Sequence, residues 1–211
     1  QPWIPFYEKT LNQKSDYYDV TPSDKFGIEL TEKMFLRTDY KDSIYAAIVE
    51  SELRDTLEYK YSDLPYYFLK KYIEKQTETS LDVLAQTYFY KPMGLSYLKF
   101  HPLEHFEKNN IVPTELDTEW REELIHGTVH DQGAAMLGGV GGHAGLFGNA
   151  RNVASFMQLY LNKGSFAGKT YLKPETILKF NTCYYCDQNV RRGVGFDKPQ
   201  LEDIGPTCGC L

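Results

Sequence analysis

Apolar residues recur at helical spacing in the first half of the chain and predict three helices. The first lies within residues 41–57, where the recurring positions are Ile44, Ala47, Ile48 and Ser51. The second follows Ser62, a suitable cap, tolerates Pro65 in its first turn and carries the stripe Leu64, Phe68, Leu69, Tyr72 and Ile73. The third begins at Ser80, ends before Pro92 and Gly94, and turns inward Leu81, Leu84, Ala85, Tyr88 and Phe89.

The second half is dominated by one glycine-rich segment and the helices after it. Six of the eleven residues from Gly138 to Gly148 are glycine. Asn149 is a suitable cap for a helix with Val153, Phe156, Met157 and Tyr160, closed by Gly164, and Pro174 suits the start of a shorter helix. Residues 99–125 are predicted to be loop-like with one acidic turn from Glu115 to Glu123, and residues 192–196 a short strand.

These elements predict a mainly α chain with few short strands, organised as one partial domain over residues 1–211. Within it we expect an irregular N-terminal segment (1–40), helices around a Tyr-Ser-Asp element (41–98), the glycine-rich loop with its helices (126–182) and a cysteine-containing turn and strand region (183–211). The chain opens on Gln1 and stops among glycines and cysteines. We therefore expect a piece of a longer protein, whose exposed apolar surface favours self-association.

Composition narrows the function classes. Of 211 residues, 42% are hydrophobic and 25% charged, with 23 basic against 29 acidic residues and a net charge of −6. This balance is typical of a globular protein and argues against nucleic-acid or anionic-membrane partners, which require a basic face. No apolar run approaches the length of a membrane span, about 18 residues.

Several motifs suggest cofactor or metal chemistry without meeting its full requirements. Residues 139–144 fit a loose G-x-G-x-x-A, but neither a buried strand before it nor a nucleotide-type acidic partner is evident. His105, His126, His130 and His143 match no helical zinc spacing. We therefore expect no cofactor and no metal. For Cys183-x-x-Cys186 and Cys208-x-Cys210, disulfides, zinc and free thiols all stay open.

Two further groups of residues have the composition of a catalytic site, but a non-catalytic interpretation explains each of them better. Ser96-x-x-Lys99 has the spacing that places a serine beside a lysine on a helix, but it follows a helix terminator and runs into Pro102, so we interpret it as a decoy. The carboxylates of Glu119, Glu122 and Glu123 could serve a glycosidase, but a solvated helix face explains them more simply.

Two segments together resemble a known family. The first comprises Tyr61-Ser62-Asp63 at the head of a helix and, further on, Lys91-Pro92-Met93-Gly94-Leu95. The second runs from Val129-His130-Asp131 through Gly138–Phe147. They are similar, in order and spacing, to class C β-lactamases, esterases and penicillin-binding-protein-like serine hydrolases. The resemblance covers residues 55–200. It is greatest for the branch, found in Bacteroidetes, in which this domain is fused behind a family 3 glycoside hydrolase (β-N-acetylglucosaminidase) domain.

The resemblance implies a fold, an activity and site residues. The chain would be the helical part of the β-lactamase/transpeptidase-like fold, which is α+β in the intact parent. The parent would be exported, for example to the periplasm, and would transfer acyl groups through a serine ester on cell-wall-related amides or esters. Tyr61 would assist proton transfer, Asp63 stands where the family usually has Asn, and Gly141, Gly142 and His143 would shape the substrate pocket.

This chain departs from the family pattern in two respects. No Ser-x-x-Lys precedes Tyr61, and the Lys/His-Thr-Gly strand is absent, so we expect the chain by itself to be inactive. Its partners would be the missing parts of its own domain and, in the intact parent, a cell-wall-related small molecule or peptide. The alternative function is a non-catalytic module of a family 3 glycoside hydrolase.

Overall fold

The computed structural model describes residues 3–56 and 58–198, which divide into two compact units. Residues up to 91 together with 96–149 belong to the first unit, and residues 92–95 together with the chain from 150 onward belong to the second. The interpretation of residues 1–211 as one partial domain stays a prediction. None of the described helices combines the length and apolar character needed to cross a membrane.

The first unit contains six α-helices among its described residues. They are α1 (Glu8–Leu11), α2 (Lys14–Tyr17), α3 (Tyr40–Val49), α4 (Leu64–Thr77), α5 (Leu81–Ala85) and α6 (Gln132–Met136). A π-helical turn, Gln86–Tyr90, continues α5, and single 3₁₀ turns span Pro102–Glu104 and Lys108–Asn110. The predicted helix in 41–57 is confirmed, but it ends at Val49.

Two small antiparallel sheets complete this unit. The strands β1 (Tyr18–Asp19), β2 (Ile28–Thr31) and β3 (Met34–Leu36) pair in the order β1-β3-β2. A separate hairpin joins β4 (Glu115–Asp117) to β5 (Glu123–Ile125). The expectation of an irregular segment over residues 1–40 is therefore wrong. Apolar and polar residues alternate at the start of β2, so that Ile28 and Leu30 are buried while Glu29 between them is exposed. This alternation favours a strand with one buried face.

The core of the first unit collects residues that lie far apart in the chain. Phe6 and Tyr7 pack with Tyr67 and Trp120, with the Tyr7 and Trp120 ring centroids 5.5 Å apart. The indole Nε1 of Trp120 donates a hydrogen bond to the Tyr18 hydroxyl at 3.0 Å. Burying a large aromatic side chain stabilises a fold by about 1.5–3 kcal/mol. Because Tyr18 lies in β1 and Trp120 lies between β4 and β5, their hydrogen bond links the two sheets.

Helix α4 starts where the sequence predicts, but it buries a different face. Ser62 Oγ accepts a hydrogen bond from Leu64 N at 3.2 Å, and Pro65 occupies the first turn. Leu64 and Tyr67 are the buried residues. The remaining members of the predicted stripe are exposed, namely Phe68, Leu69, Tyr72 and Ile73. The stripe was wrong because Tyr67, which lies outside it, provides the main core contact.

Among its described residues, the second unit holds two α-helices, a hairpin and a 3₁₀ turn at Cys186–Gln188. The helices and strands are α7 (Ala150–Leu161), β6 (Ser165–Phe166), β7 (Lys169–Thr170) and α8 (Pro174–Asn181). Pro174 begins α8, as predicted. Gly164 lies in the left-handed region at φ +93°, and a Cβ there would come within 2.1 Å of the Leu172 carbonyl oxygen, so glycine is required after α7.

A disulfide closes a short loop immediately after α8. Cys183 and Cys186 form a disulfide, which excludes a zinc site on this pair in this state. Cys208 and Cys210 lie outside the described residues. The strand predicted at 192–196 is absent, because only a single bridge between Arg192 and Asp197 forms there.

Candidate functional site

Tyr61 and Asp63 lie immediately before α4, on the segment that positions its first turn. Asp63 occupies the N-cap position, and its carbonyl oxygen accepts a hydrogen bond from Tyr66 N at 2.9 Å. The Tyr61 side chain is 64% exposed. Tyr61 is therefore accessible from solvent to a ligand or another polypeptide segment.

The glycine-rich loop packs directly on the same end of α4. A Cβ added at Gly142 would lie 2.4 Å from the backbone oxygen of Tyr66, and one at Gly145 would lie 2.1 Å from the oxygen of Gly139. Real Cβ atoms do not approach so closely, and Gly145 also has φ +111°. The glycines therefore bring the loop backbone against the helix that follows Tyr61.

His143 anchors this loop through a buried polar contact. Its Nε2 lies 2.9 Å from Asp131 Oδ1, and its ring stacks on Tyr67 with centroids 4.6 Å apart. The side chain is 3% exposed, and its Nδ1 has no hydrogen-bond partner. Asp131 also caps α6 by accepting a hydrogen bond from Ala134 N at 2.7 Å. The Asp131 carboxylate therefore connects the glycine-rich loop to the first turn of α6.

Electrostatics around this contact favour an ionised Asp131 and a neutral Tyr67. Burial alone raises the pKa of Asp131, but the hydrogen bonds from His143 and from the Ala134 amide outweigh it, so the pKa lies below its usual value. Burial, and then the charges of Asp131 and Asp63, raise the pKa of the Tyr67 phenol. Tyr67 therefore keeps its proton at neutral pH.

Two of the cavities in the first unit have His143 in their lining. A small one of about 30 Å³ is lined by Asp63, Tyr67, Asp131 and His143 among others, so the structure brings predicted residues from both motifs together there. A larger one of about 520 Å³ has residues 141–147 as one wall. Its other lining residues, which are mainly apolar, are Leu81, Ala85, Tyr90, Phe100, Thr114, Val129 and His130. The pocket-wall role of Gly141, Gly142 and His143 stays a prediction.

A buried arginine, which the sequence analysis missed, holds the chain leading into this loop. Arg121 Nε lies 2.8 Å from Asp117 Oδ2, and its other nitrogens donate to the carbonyl oxygens of Val129 and His130. The acidic turn is therefore a hairpin rather than a helix face, and Glu122 takes φ +58°. The sequence signal for this contact was an arginine flanked by acidic residues. Exposed salt bridges show the same arrangement, so the sequence does not reveal that Arg121 is buried.

The weaker sequence candidates do not form catalytic or metal arrangements in the described residues. Ser96-x-x-Lys99 is not helical; Lys99 instead forms a bridge with Phe147, and its Nζ donates to Gln86 Oε1 at 3.0 Å. His126 Nε2 lies 2.6 Å from the Ile111 carbonyl oxygen. Among residues 3–56 and 58–198, no group of three His, Cys, Asp or Glu side chains could hold a metal ion.

Comparison with known proteins identifies relatives for most of the chain. No protein-family model matches it. It is 34% identical over 176 residues to a putative D-alanyl-D-alanine carboxypeptidase of Escherichia coli (strain K12), and 34% identical over 163 residues to one of Salmonella enteritidis PT4 (strain P125109). These alignments cover 75% and 72% of this chain but 40% and 37% of the relatives.

The chain is homologous to these carboxypeptidases. The homology is consistent with the penicillin-binding and β-lactamase-like superfamily that the Tyr61-Ser62-Asp63 element and the glycine-rich loop resemble. The chain spans about two fifths of the length of the curated relatives it matches.

Proposed function

We propose that the chain is part of a serine hydrolase that acts on cell-wall-related amides or esters by acyl transfer. The observation that carries this proposal is the similarity to D-alanyl-D-alanine carboxypeptidases at 34% identity over 176 residues. The described elements support it, because the glycine-rich loop packs against Tyr66 in the first turn of α4, the helix that follows Tyr61. In this proposal the chain supplies the helical part of a β-lactamase/transpeptidase-like fold.

Tyr61 is the proton-transfer group in this proposal. A phenol beside the reacting serine can accept its proton and pass it to the leaving group, provided that nearby positive charge lowers its pKa. Tyr61 is exposed and lies just before α4, so a segment bearing the serine and a lysine can reach it. Asp63 would face the substrate amide, but its carboxylate, when ionised, only accepts hydrogen bonds.

The proposed role of Tyr61 is tested in the longest natural polypeptide that contains this chain. Tyr61→Phe should lower kcat/KM on a dipeptide-terminated peptidoglycan fragment by about 100-fold or more, in the range of general acid–base contributions. Tyr72→Phe, an exposed tyrosine on the same helix, is the matched control and should leave the activity unchanged. Equal activity of both variants would refute the assignment of Tyr61.

The chain alone should form no covalent adduct. Ser96, its one serine with a lysine three residues later, is not on a helix, so its hydroxyl lacks an aligned base. Intact mass after incubation with a fluorophosphonate and, separately, a penicillin measures this directly. A stoichiometric adduct that persists in Ser96→Ala would reveal another nucleophile in the chain and overturn the expected inactivity.

Fusion to a family 3 glycoside hydrolase and an exported location are further parts of the proposal. They rest on the resemblance alone. A parent polypeptide with a leader sequence and a glycoside hydrolase domain before this region would support both.

A further inference from the structure

A further cavity of the first unit, about 310 Å³ in volume, carries ionisable groups of both signs. Its ionisable lining residues are Glu29, Lys41, His101 and Glu104, and glycines supply much of the remaining wall. The volume lies at the lower end of the range for small-molecule sites, about 300–1,000 Å³. Tyr61 does not line it.

Two consecutive glycines leave room for the nitrogen-bearing side chains of this cavity to lie close to the backbone. A Cβ at Gly138 would lie 3.3 Å from Lys41 Nζ, and a Cβ at Gly139 would lie 2.8 Å from His101 Cε1. Both glycines take left-handed φ angles, +86° and +84°. The pair therefore places an ammonium and an imidazole against one short stretch of backbone.

Within the part of the chain that the structure describes, none of these four side chains forms a hydrogen bond or ion pair with another residue. Glu29 and Glu104 are exposed, whereas Lys41 and His101 are partly buried. Burial, and then the positive charge of Lys70, lower the pKa of Lys41. Lys70 itself is paired with Glu74 at 3.0 Å, which leaves Lys41 as the cation able to meet an external anion.

The distribution of charge decides which ligand fits. Lys41 and His101 also border a neighbouring cavity of about 470 Å³, where Lys70 is already paired with Glu74 and the remaining carboxylates are those of Glu78 and Asp82. These two carboxylates would repel the carboxylate of a ligand placed there. In the 310 Å³ cavity the two carboxylates are Glu29 and Glu104. A ligand with one negative and one positive group would pair both sets of side chains.

We propose that the 310 Å³ cavity binds a small zwitterion of amino-acid or dipeptide size, with its carboxylate against Lys41 and His101 and its ammonium against Glu29 and Glu104. Charge-assisted hydrogen bonds to a carboxylate are about twice as strong as neutral ones, so the Lys41 contact should dominate the affinity. The proposal needs no acyl transfer and stands apart from the function proposed for Tyr61.

Calorimetric titration with three matched probes tests this assignment on the chain as it exists. The probes are L-alanyl-L-alanine, its C-terminal amide, which lacks the carboxylate, and its N-acetyl form, which lacks the ammonium. The dipeptide should bind saturably, the amide about tenfold more weakly and the N-acetyl form several-fold more weakly, because each analogue lacks one charged contact. A tenfold loss corresponds to about 1.4 kcal/mol.

Variants assign the contacts to residues. Lys41→Met should weaken dipeptide binding by about tenfold and leave amide binding unchanged. Glu104→Gln should reduce the difference between the dipeptide and its N-acetyl form. Lys75→Met, an exposed lysine on α4, is the matched control and should bind like the wild type. Circular dichroism confirms that each variant is folded.

Three outcomes would overturn the proposal. These are no saturable binding of the dipeptide, equal binding of all three probes, or equal effects of Lys41→Met and Lys75→Met. Equal binding of the dipeptide and its N-acetyl form would overturn the roles of Glu29 and Glu104. Because no probe is hydrolysed or acylated in this test, its failure leaves the covalent-adduct and Tyr61→Phe results untouched.

Discussion

Two buried polar side chains in the first unit, Arg121 and His143, differ in how many of their nitrogens have hydrogen-bond partners. The Arg121 side chain is fully buried, and it pairs with Asp117 while also donating to the carbonyl oxygens of Val129 and His130. The His143 side chain is almost as buried, but only its Nε2 has a partner, Asp131. All three nitrogens of Arg121 donate hydrogen bonds within the protein, although the nearby Glu115 Oε2, 3.6 Å from Arg121 Nη2, has no hydrogen-bond partner among the described residues. In His143 the buried Nδ1 has no hydrogen-bond partner in the described part of the chain, which makes this ring the less completely paired of the two side chains.

The largest effect should come from breaking the Arg121 cluster. Arg121→Met leaves the buried carboxylate of Asp117 without its cation and should lower the free energy of unfolding by about 3–5 kcal/mol. Urea denaturation followed by circular dichroism measures this. Lys14→Met removes an exposed pair with Glu122 and should cost less than about 1 kcal/mol. Similar losses in the two variants would show that the Arg121 cluster does not hold the hairpin.

An intermediate effect should come from crowding the ring that stacks on His143. A Cβ at Gly133 would lie 1.8 Å from the Tyr67 hydroxyl oxygen, so Gly133→Ala should cost about 1–3 kcal/mol despite the better helix propensity of alanine. Adding Tyr67→Phe removes that oxygen and should recover much of the loss. A double variant as unstable as the sum of its two single variants would contradict the close contact seen here.

The smallest effect should be a change in acid sensitivity at Asp131. Its pKa in the folded protein lies below the usual value of 3.8, so it stabilises the fold above that pH. This contribution is lost as the pH falls through the lowered pKa. Asp131→Asn should therefore lose less stability than the wild type between pH 4 and pH 2, in thermal unfolding measured across that range. Asp16→Asn, at an exposed site on α2, should follow the wild-type curve.

Local signals in the sequence predicted the helix starts well. Pro174 begins α8, and Ser62 accepts the hydrogen bond at the start of α4, because capping and proline geometry depend only on neighbouring residues. Ser80 occupies the N-cap of α5 as predicted, but its side chain forms no cap bond there. Glu74 Oε1, one turn back on α4, accepts from Leu81 N instead.

Contacts between distant residues explain what the sequence did not predict. The β4–β5 hairpin depends on Trp120 packing with Tyr7 and Tyr18, more than 100 residues earlier in the chain. The Asp131–His143 pair joins residues twelve positions apart across a loop with no periodic pattern. Tyr61 and Asp63 were selected only through the family resemblance, since an aromatic residue and an acidic residue before a helix are common.

The distance along the chain between Tyr7 and Trp120 has a consequence for synthesis. Their rings pack together, so the core of the first unit cannot close until residue 120 has left the ribosome. At about 5–20 residues per second, the N-terminal aromatic residues wait roughly 5–20 s for this partner. During that time Tyr7 and Tyr18 lack their contacts with Trp120. Their exposed aromatic side chains are then available to a chaperone that binds the nascent chain.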